Sequence, residues 1–351
     1  MDLMHYSSKL ERYWYGKESR FPFPVHELLT IASGGWMCAT AVREVCARPR
    51  KVKPLTVGIS SLTVGGGGKT PLVRWIAEEL HSRGIRVAIV SRGYGGGLHV
   101  PVHVLPGIHS ATEVGDEPLF LSRRLPAGIP VIVSKDRYEG CLFADTHFHP
   151  KYLVLDDTIM QTSVKLDTEI LVQGSAGGIG NGRCLPAGPL RKPVETVRRM
   201  HAIVLIGEDL SAPQESGKLR IPTYHLPVFH TRLVPRSIRN TKGDTVPVSS
   251  LENRPVAAWA GMARPWRFRT LLRRLGANVV FFRSFTDHHV YSRKDIDRLK
   301  RAVNEKDLLP ITTEKDIVRF PSESGLFPFT LDIGLEFDYP NEFIAVLSEA
   351  M

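Results

Sequence analysis

The stretch Leu55–Ser60 (LTVGIS) runs directly into the glycine-rich segment SLTVGGGGKTP at residues 61–71, and together they predict how this chain folds. The first six residues are a short apolar run, as in a buried strand. From residue 69 to residue 80 apolar residues recur at helical spacing, and Pro71 suits the first turn of a helix. A strand, a glycine loop and a helix in this order are typical of a phosphate-binding loop.

The residue types in this segment match the chemistry of phosphate binding. Consecutive glycines let backbone N–H groups curve around phosphate oxygens, and the following helix adds the positive end of its dipole. Lys69 is placed to reach the β- and γ-phosphates, and the Thr70 hydroxyl can bind Mg²⁺. The strict motif G-x-x-x-x-G-K-[ST] requires glycine where Thr63 stands, so an incidental glycine-rich turn is the alternative. The predicted nucleotide-binding residues are Thr63, Val64, Gly65, Gly66, Gly67, Gly68, Lys69 and Thr70.

A pair of acids follows a second apolar run. Residues 151–155 (KYLVL) predict a buried strand, and Asp156 and Asp157 come directly after it. An apolar strand ended by acids is the Walker B arrangement, in which a carboxylate holds Mg²⁺ directly or through water. The alternative is an acid pair in a turn or at a helix N-cap. With the glycine loop in the same chain, we interpret Asp156 and Asp157 as magnesium ligands.

Strand-like and helix-like segments alternate along the rest of the first half. Apolar runs at 86–91, 130–134, 169–172 and 201–206 favour a doubly wound, mainly parallel α/β sheet of the P-loop NTPase type. Between 225 and 251 the chain becomes rich in proline and in polar and basic residues, after which a smaller α/β pattern resumes. The predicted organisation is an N-terminal helical segment at 1–50, a P-loop core at 51–225, a linker or β-ribbon at 226–251 and a smaller C-terminal α/β domain at 252–351.

The N-terminal segment bears on membrane association. Residues 1–22 carry charges and no apolar h-region, so they do not predict a secretory signal peptide. Residues 28–42 form an uncharged run of 15 residues, shorter than the roughly 20 needed to span a bilayer. Basic residues follow it, as in a helix that lies on an anionic leaflet. The alternative is a helix that packs on the protein's own core. The basic residues are Arg43, Arg48, Arg50, Lys51 and Lys53.

Composition limits the partners. The 46 Lys and Arg against 36 Asp and Glu give a net charge of +10, which favours anionic partners. We find no recognised nucleic-acid-binding motif and expect no nucleic-acid partner. The four cysteines lack C-x-x-C or zinc-finger spacing, which indicates neither a disulfide framework nor a structural metal.

Seven blocks of sequence carry a specific resemblance. They are SSLTVGGGGKTP at 60–71, VSRGYGG at 90–96, VGDEP at 114–118, GNGRCLPAGPLR at 180–191, AGMARP at 260–265, FTDHH at 285–289 and TTEKD at 312–316. In order and spacing they resemble the tetraacyldisaccharide 4'-kinase family of lipid A biosynthesis, from about residue 50 to about residue 320.

The resemblance implies a reaction. The γ-phosphate of ATP, with Mg²⁺, is transferred to the 4'-hydroxyl of a lipid-linked, tetraacylated glucosamine disaccharide 1-phosphate. It also implies a peripheral, monotopic enzyme on the cytoplasmic face of the inner membrane, with an N-terminal helix at the anionic membrane surface. The alternative function is a membrane-associated P-loop regulatory ATPase. A GTPase is disfavoured because the string TEKD at 313–316 lacks a residue of the N-K-x-D motif.

The resemblance also assigns residue roles. Asp116 matches the family's catalytic base, and His288 matches the histidine that is paired with it. Glu117 is expected to help place the metal or the hydroxyl, although it can equally be an acid at a helix start. Arg191 is a candidate ligand of a phosphate oxygen, because its fork of donors suits phosphate. Lys69 completes the predicted catalytic set.

One block departs from the family pattern. The family usually reads D-D-[GA]-x-Q-H after its strand, whereas here Asp156 and Asp157 are followed by Thr158-Ile159-Met160-Gln161. Met160 therefore stands at the expected glutamine and Gln161 at the expected histidine. The two acids are retained, so the sequence leaves the metal site intact and the function of the Gln-His pair open.

Overall fold

The computed structural model describes residue 10 and residues 12–15, 23–65, 67–174, 178–207, 221–240, 242–262 and 265–348. Within these residues thirteen strands form one sheet. The strands are β1 Leu55–Ser60, β2 Val87–Ser91, β3 Val102–His103, β4 Val131–Val133, β5 Tyr152–Asp156, β6 Thr168–Gly174, β7 Ala202–Gly207, β8 Val228–Asn240, β9 Thr245–Val246, β10 Pro255–Ala260, β11 Asn278–Ser284, β12 Leu309–Thr312 and β13 Phe329–Phe337.

Nine α-helices accompany the sheet in the described ranges. They are α1 Val25–Val45, α2 Lys69–Ser82, α3 Ala111–Val114, α4 Asp116–Arg124, α5 Arg137–Phe148, α6 Pro265–Arg274, α7 Arg293–Asn304, α8 Glu314–Arg319 and α9 Pro340–Ser348. The predicted strands at 55–60, 86–91, 130–134 and 151–155 are confirmed to within about a residue, as is the helix after the glycine loop.

The sheet is mixed and mainly parallel, with the order β11-β10-β12-β13-β8-β7-β6-β1-β5-β2-β4-β3, and β9 pairs with β8. The antiparallel pairs are β3 with β4, β8 with β13 and β8 with β9. β1 lies between β5 and β6, parallel to both. Because parallel strands end at the same edge of a sheet, the segments after β1 and β5 meet at one place.

Apolar residues cover both faces of the first part of the sheet, as the near-continuous apolar strands predict. Val57 and Val154 pack with Ile76 of α2 in one core, whereas Leu153 and Leu155 pack with α5 in another. Alternate residues of one strand point to opposite faces, so these cores lie on opposite sides of the sheet. The expectation of an α/β sheet is confirmed.

The second half continues the same sheet. β8 and β13 pair over nine register positions, and this antiparallel ladder joins the strands β10, β11 and β12 to β7 and β6. The segment expected to be a linker or β-ribbon thus contains the 13-residue strand β8. A separate core, which includes Val256, Leu272 and Ile311, lies under β10 and β12.

Helix α1 is longer than the apolar run from which it was predicted. It has 21 residues and continues through Gly34 and Gly35. In the described part of the chain, no helix meets both the length and the apolarity required to span a bilayer.

Candidate active site

The glycine loop connects β1 to α2 and packs against residues 189–190, which come directly before Arg191. The Val64 N–H donates to the Pro189 carbonyl at 2.9 Å, and Thr63 forms a bridge with Leu190. Gly68 has φ +85, and a Cβ there would overlap Ile206. The loop therefore needs glycine at position 68 for both backbone and space. Gly66 is among the predicted residues and lies outside the described ones.

The two residues after the loop open helix α2. Gly68 is the N-cap and has no side chain to cap the first turn, so the N–H groups of this turn remain for another acceptor. Lys69 Nζ lies 3.8 Å from Asp157 Oδ1, and Thr70 is buried. The loop, the helix start and a carboxylate thus converge, as the sequence predicted.

Asp157 follows β5 and forms an ion pair with Arg191. Its backbone has φ +55, and its two carboxylate oxygens each accept from Arg191 Nη1 at 2.8 Å. Burial works to raise the pKa of Asp157, but Lys69 and Arg191 outweigh it and hold the pKa below its usual value. Arg191 Nη2 also donates to the Thr63 carbonyl at 3.3 Å, which ties the Asp157 carboxylate to the glycine loop.

Asp156 differs from its neighbour. It is the last residue of β5, its side chain is buried, and its Oδ1 has no hydrogen-bond partner among the described residues. Burial, reinforced by the Glu117 carboxylate, raises the pKa of Asp156 to about 7. Arg137 Nη2 donates at 2.8 Å to the backbone carbonyls of Asp156 and Asp157 and so fixes the end of the strand.

Asp116 begins α4 and faces residues from the second half of the chain. His288 Nδ1 donates to Asp116 Oδ2 at 2.7 Å, and Arg319 Nε forms an ion pair with the same oxygen at 2.9 Å. Gly115 before it has φ +89, and a Cβ there would lie 2.7 Å from the Tyr94 carbonyl. The glycines of the VSRGYGG and VGDEP blocks thus allow the two turns to pack closely.

Glu117 stands beside Asp116 and also pairs with the second half of the chain. Lys315 Nζ donates to Glu117 Oε1 at 2.6 Å. Burial opposes ionisation, but Lys315 and then Lys69 hold the pKa of Glu117 below its ordinary value, and Glu117 in turn raises the pKa of Lys315 against the effect of burial. Glu117 is thus within electrostatic range of Lys69 in the glycine-loop cluster, and it is next to Asp116 in the chain.

Two residues of this site were not found by sequence reasoning. Lys315 and Arg319 both come from α8, which follows the TTEKD block. That block was recognised as part of the family pattern, but nothing in a single sequence says that α8 faces α4. In the described part of the chain, no three His, Cys, Asp or Glu side chains form a metal cluster.

The divergent block has a structural role here. Gln161 Oε1 accepts from the N–H groups of Ser163 and Val164 at 3.1 and 3.0 Å, and its Nε2 donates to the Val164 carbonyl. Met160 packs against an apolar cluster together with Trp36 of α1. The two residues therefore close a turn and fill a core after Asp157.

Helix α1 has one face on the protein and one in solvent. Trp36 Nε1 donates to the Arg191 carbonyl at 2.9 Å, Ser33 donates to the Cys184 carbonyl, and Glu44 pairs with Lys192 and Arg199. On the other face Leu28, Ile31, Val42 and Val45 are between 62% and 86% exposed. The helix therefore packs on the protein and leaves an apolar face exposed, and its contact with a membrane stays a prediction.

This chain is similar to known proteins over most of its length. Residues 25–351 match the family model of LpxK, tetraacyldisaccharide-1-P 4'-kinase. The tetraacyldisaccharide 4'-kinase of Rhodospirillum centenum is 35% identical over 341 residues, which cover 97% of this chain and 96% of that protein. That of Methylobacterium nodulans is 37% identical over 318 residues, with 89% and 88% covered.

The fold also resembles a solved structure. The crystal structure of an "apo" form of LpxK from Aquifex aeolicus in complex with ATP superimposes with a TM-score of 0.77 and 26% identity. The match covers 93% of this chain and 99% of that one.

Proposed function

We propose that this chain, which belongs to the tetraacyldisaccharide-1-P 4'-kinase family, transfers the γ-phosphate of ATP to the 4'-hydroxyl of a tetraacylated glucosamine disaccharide 1-phosphate in lipid A biosynthesis. The observation that carries the proposal is the Asp116–His288 pair at 2.7 Å, beside Glu117, which accepts from Lys315. A proton acceptor and a phosphate site then share one cleft, as transfer to a hydroxyl requires.

The glycine loop and the start of α2 bind the triphosphate in this proposal. The uncapped first turn of α2 supplies backbone N–H groups for the β- and γ-phosphates, and Lys69 neutralises charge on them. Lys69 is only 13% exposed and lies 3.8 Å from Asp157, so it has a carboxylate partner before nucleotide binds. Arg191, held by Asp157, is a second donor for a phosphate oxygen.

The donor set also suits Mg²⁺. Asp156 Oδ1 is a buried oxygen without a hydrogen-bond partner in the described residues, and Thr70, Asp157 and Glu117 add oxygen donors nearby. Mg²⁺ in kinases is usually held by one or two carboxylates together with phosphates and water, so a cluster of three acids is not needed. Asp156, Asp157, Glu117 and Thr70 would hold Mg²⁺, which would offset the negative charge of the phosphates.

Asp116 accepts the proton of the sugar hydroxyl in the proposed mechanism. The hydroxyl oxygen forms a bond to the γ-phosphorus, the bond to the β-phosphate oxygen breaks, and ADP leaves. His288 donates to Asp116 Oδ2 through Nδ1, so the imidazole orients the carboxylate. The two residues come from chain regions 172 positions apart. We propose that the first and last units, 51–225 and 252–351, form the two sides of this cleft.

Helix α1 is the proposed membrane contact. Its exposed apolar face and the exposed basic residues Arg43, Arg48 and Arg50 suit the interface of an anionic leaflet. An acceptor with acyl chains is available to an enzyme at such a surface. We therefore propose a peripheral, monotopic protein at the cytoplasmic face of the inner membrane.

The test is phosphate transfer from radiolabelled Mg-ATP to the lipid disaccharide 1-phosphate in detergent micelles. Wild-type protein is expected to label the lipid. Asp116→Ala is expected to lower kcat by about 1,000-fold or more, and His288→Ala by about 100-fold, with smaller changes in the KM for ATP.

Glu139→Ala is a matched control, since Glu139 is an exposed carboxylate on α5 and is expected to keep wild-type activity. Full activity of Asp116→Ala would refute the assignment of the base. Release of phosphate from ATP without labelling of the lipid would favour a regulatory ATPase.

A further inference from the structure

We propose that Arg319 positions the Asp116 carboxylate for proton transfer, an inference that rests on the function proposed above. Arg319 is the last residue of α8, and its Nε lies 2.9 Å from Asp116 Oδ2. Its side chain is 6% exposed, whereas that of His288, which contacts the same oxygen, is 52% exposed. The guanidinium is therefore the buried, fixed partner of Asp116, and the imidazole is the partner that solvent reaches.

The position of α8 is itself fixed by a buried carboxylate. Asp316 has no exposed surface and accepts from the Gly261 N–H at 3.1 and 3.0 Å and from the Tyr291 hydroxyl at 2.8 Å. Thr313 caps the helix through its hydroxyl, which accepts from the Asp316 N–H. These bonds hold α8 against β10 and its neighbours, so Arg319 is presented from a rigid support.

Arg319 also orders the loop that carries the histidine. Its Nη1 donates to the His289 carbonyl at 3.2 Å, directly after His288. One guanidinium thus touches the base and the backbone beside its imidazole partner. His288 and Arg319 both contact Asp116 Oδ2. In the proposed arrangement the other carboxylate oxygen, Oδ1, accepts the proton of the acceptor hydroxyl. Arg319 acts through Asp116 and His288 and is a positioning residue.

The test compares kcat and KM of the wild type, Arg319→Gln and Arg319→Lys with Mg-ATP and the lipid disaccharide. Arg319→Gln is expected to lower kcat about 30-fold, while the KM for ATP changes less than about threefold. Arg319→Lys retains a cation of shorter reach, so its kcat should lie about threefold to tenfold below wild type and above that of Arg319→Gln. Circular dichroism checks that each variant is folded.

Arg124→Met is the matched control. Arg124 joins the same two helices, α4 and α8, through Glu314 at 2.6 Å without touching Asp116. It is expected to lower the thermal midpoint and to keep kcat within about threefold of wild type at 25 °C. An equal loss of kcat in Arg124→Met and Arg319→Gln would assign the effect to helix packing and overturn the inference.

Two other results also contradict it. The proposed role of the Arg319 charge would be overturned if Arg319→Gln kept the wild-type kcat. It would also be overturned if the kcat of Arg319→Lys were as low as that of Arg319→Gln. If Arg319→Gln does not fold, Arg319→Lys decides, because an unchanged kcat there contradicts positioning by the guanidinium. A wild-type protein that does not label the lipid would refute the proposed function instead.

Discussion

Position 68, at the start of α2, favours glycine for two separate reasons. Its φ of +85 is a conformation that residues with a side chain rarely adopt, and a Cβ would overlap Ile206. Lys69 and Thr70 follow directly, so a shift of this residue moves the proposed phosphate ligands. The tolerance of the site to a single methyl group therefore depends on local space as well as on backbone strain.

Gly68→Ala is expected to weaken ATP binding about tenfold or more and to lower kcat/KM about 100-fold, because a side chain strains the backbone at φ +85 and displaces the δ-methyl group of Ile206. Gly84→Ala is the control. Gly84 also has positive φ, +74, but nothing lies within 4 Å of its Cβ position. It should cost about 1–2 kcal/mol of stability and leave ATP affinity unchanged. Isothermal titration calorimetry measures the ATP affinity of each variant. Equal affinities of the two variants would contradict the account.

Single residues of the site differ in how far the sequence could predict them. The glycine loop, Lys69 and Asp157 were predictable, because each stands next to the strand or helix that places it. Arg319 and Lys315 were not, since their contacts with Asp116 and Glu117 join segments about 200 residues apart; Lys315 and Glu117 are separated by 198 positions. Such pairs follow from the packing of α4 on α8 and leave no local pattern.

Helix α1 connects the proposed membrane surface to the proposed nucleotide site. Its exposed face carries Leu28 and Ile31, and its buried face holds Trp36, whose indole N–H bonds the Arg191 carbonyl at 2.9 Å. Arg191 in turn holds Asp157. The two faces of one helix should therefore affect two different measurements.

Replacing both Leu28 and Ile31 with serine is expected to weaken binding to anionic vesicles about tenfold or more, since two exposed apolar side chains are lost, and to leave ATP affinity unchanged. Trp36→Phe removes one hydrogen bond to Arg191 and keeps the ring, so ATP affinity should fall about threefold while vesicle binding stays the same. Vesicle sedimentation and calorimetry give the two readouts. Loss of vesicle binding in Trp36→Phe alone would contradict this division of the helix.

Elements were predictable where their pattern is simple. β1, α2 and β5 combine an apolar run or a helical period with clear ends. β8 was interpreted as a linker or β-ribbon because residues 225–251 are rich in proline and in polar and basic residues. Within β8, Pro235 stands where the ladder with β13 shifts register, between Asp332 and Ile333. Proline is tolerated in a strand at such a bulge, which a single sequence does not reveal.

At the scale of the whole molecule, buried ion pairs join the two halves of the chain. Arg74 of α2 pairs with Asp332 of β13 at 2.6 Å, and Arg124 of α4 pairs with Glu314 of α8. Burial raises the pKa of Glu314 to about 7, against the opposing effect of Arg124. The charge state of this junction therefore changes near neutral pH.

The sign of this effect on stability follows from linkage. The folded protein retains the Glu314 proton up to about pH 7, whereas the unfolded chain loses it near its ordinary pKa of 4.5. As pH rises between these values, the group lowers the free energy of unfolding, by about 3 kcal/mol in all. Glu314→Gln removes this contribution.

The difference in thermal midpoint, Glu314→Gln minus wild type, should therefore be more positive at pH 8 than at pH 5. Differential scanning calorimetry at the two values measures it. Glu336→Gln is the control, because the Glu336 side chain is half exposed and lies on β13. If the difference in thermal midpoint between Glu314→Gln and wild type is the same at pH 5 and pH 8, Glu314 does not bind its proton more tightly in the folded state.

The most direct measurement of the central claim is the position of the transferred phosphate. Purified protein is incubated with Mg-ATP and the tetraacylated disaccharide 1-phosphate, and the product is analysed by ³¹P and two-dimensional NMR. The account predicts one new phosphate monoester at the 4'-oxygen, formed by wild type and absent with Asp116→Ala. A lipid without new phosphate, or one phosphorylated at another oxygen, would contradict it.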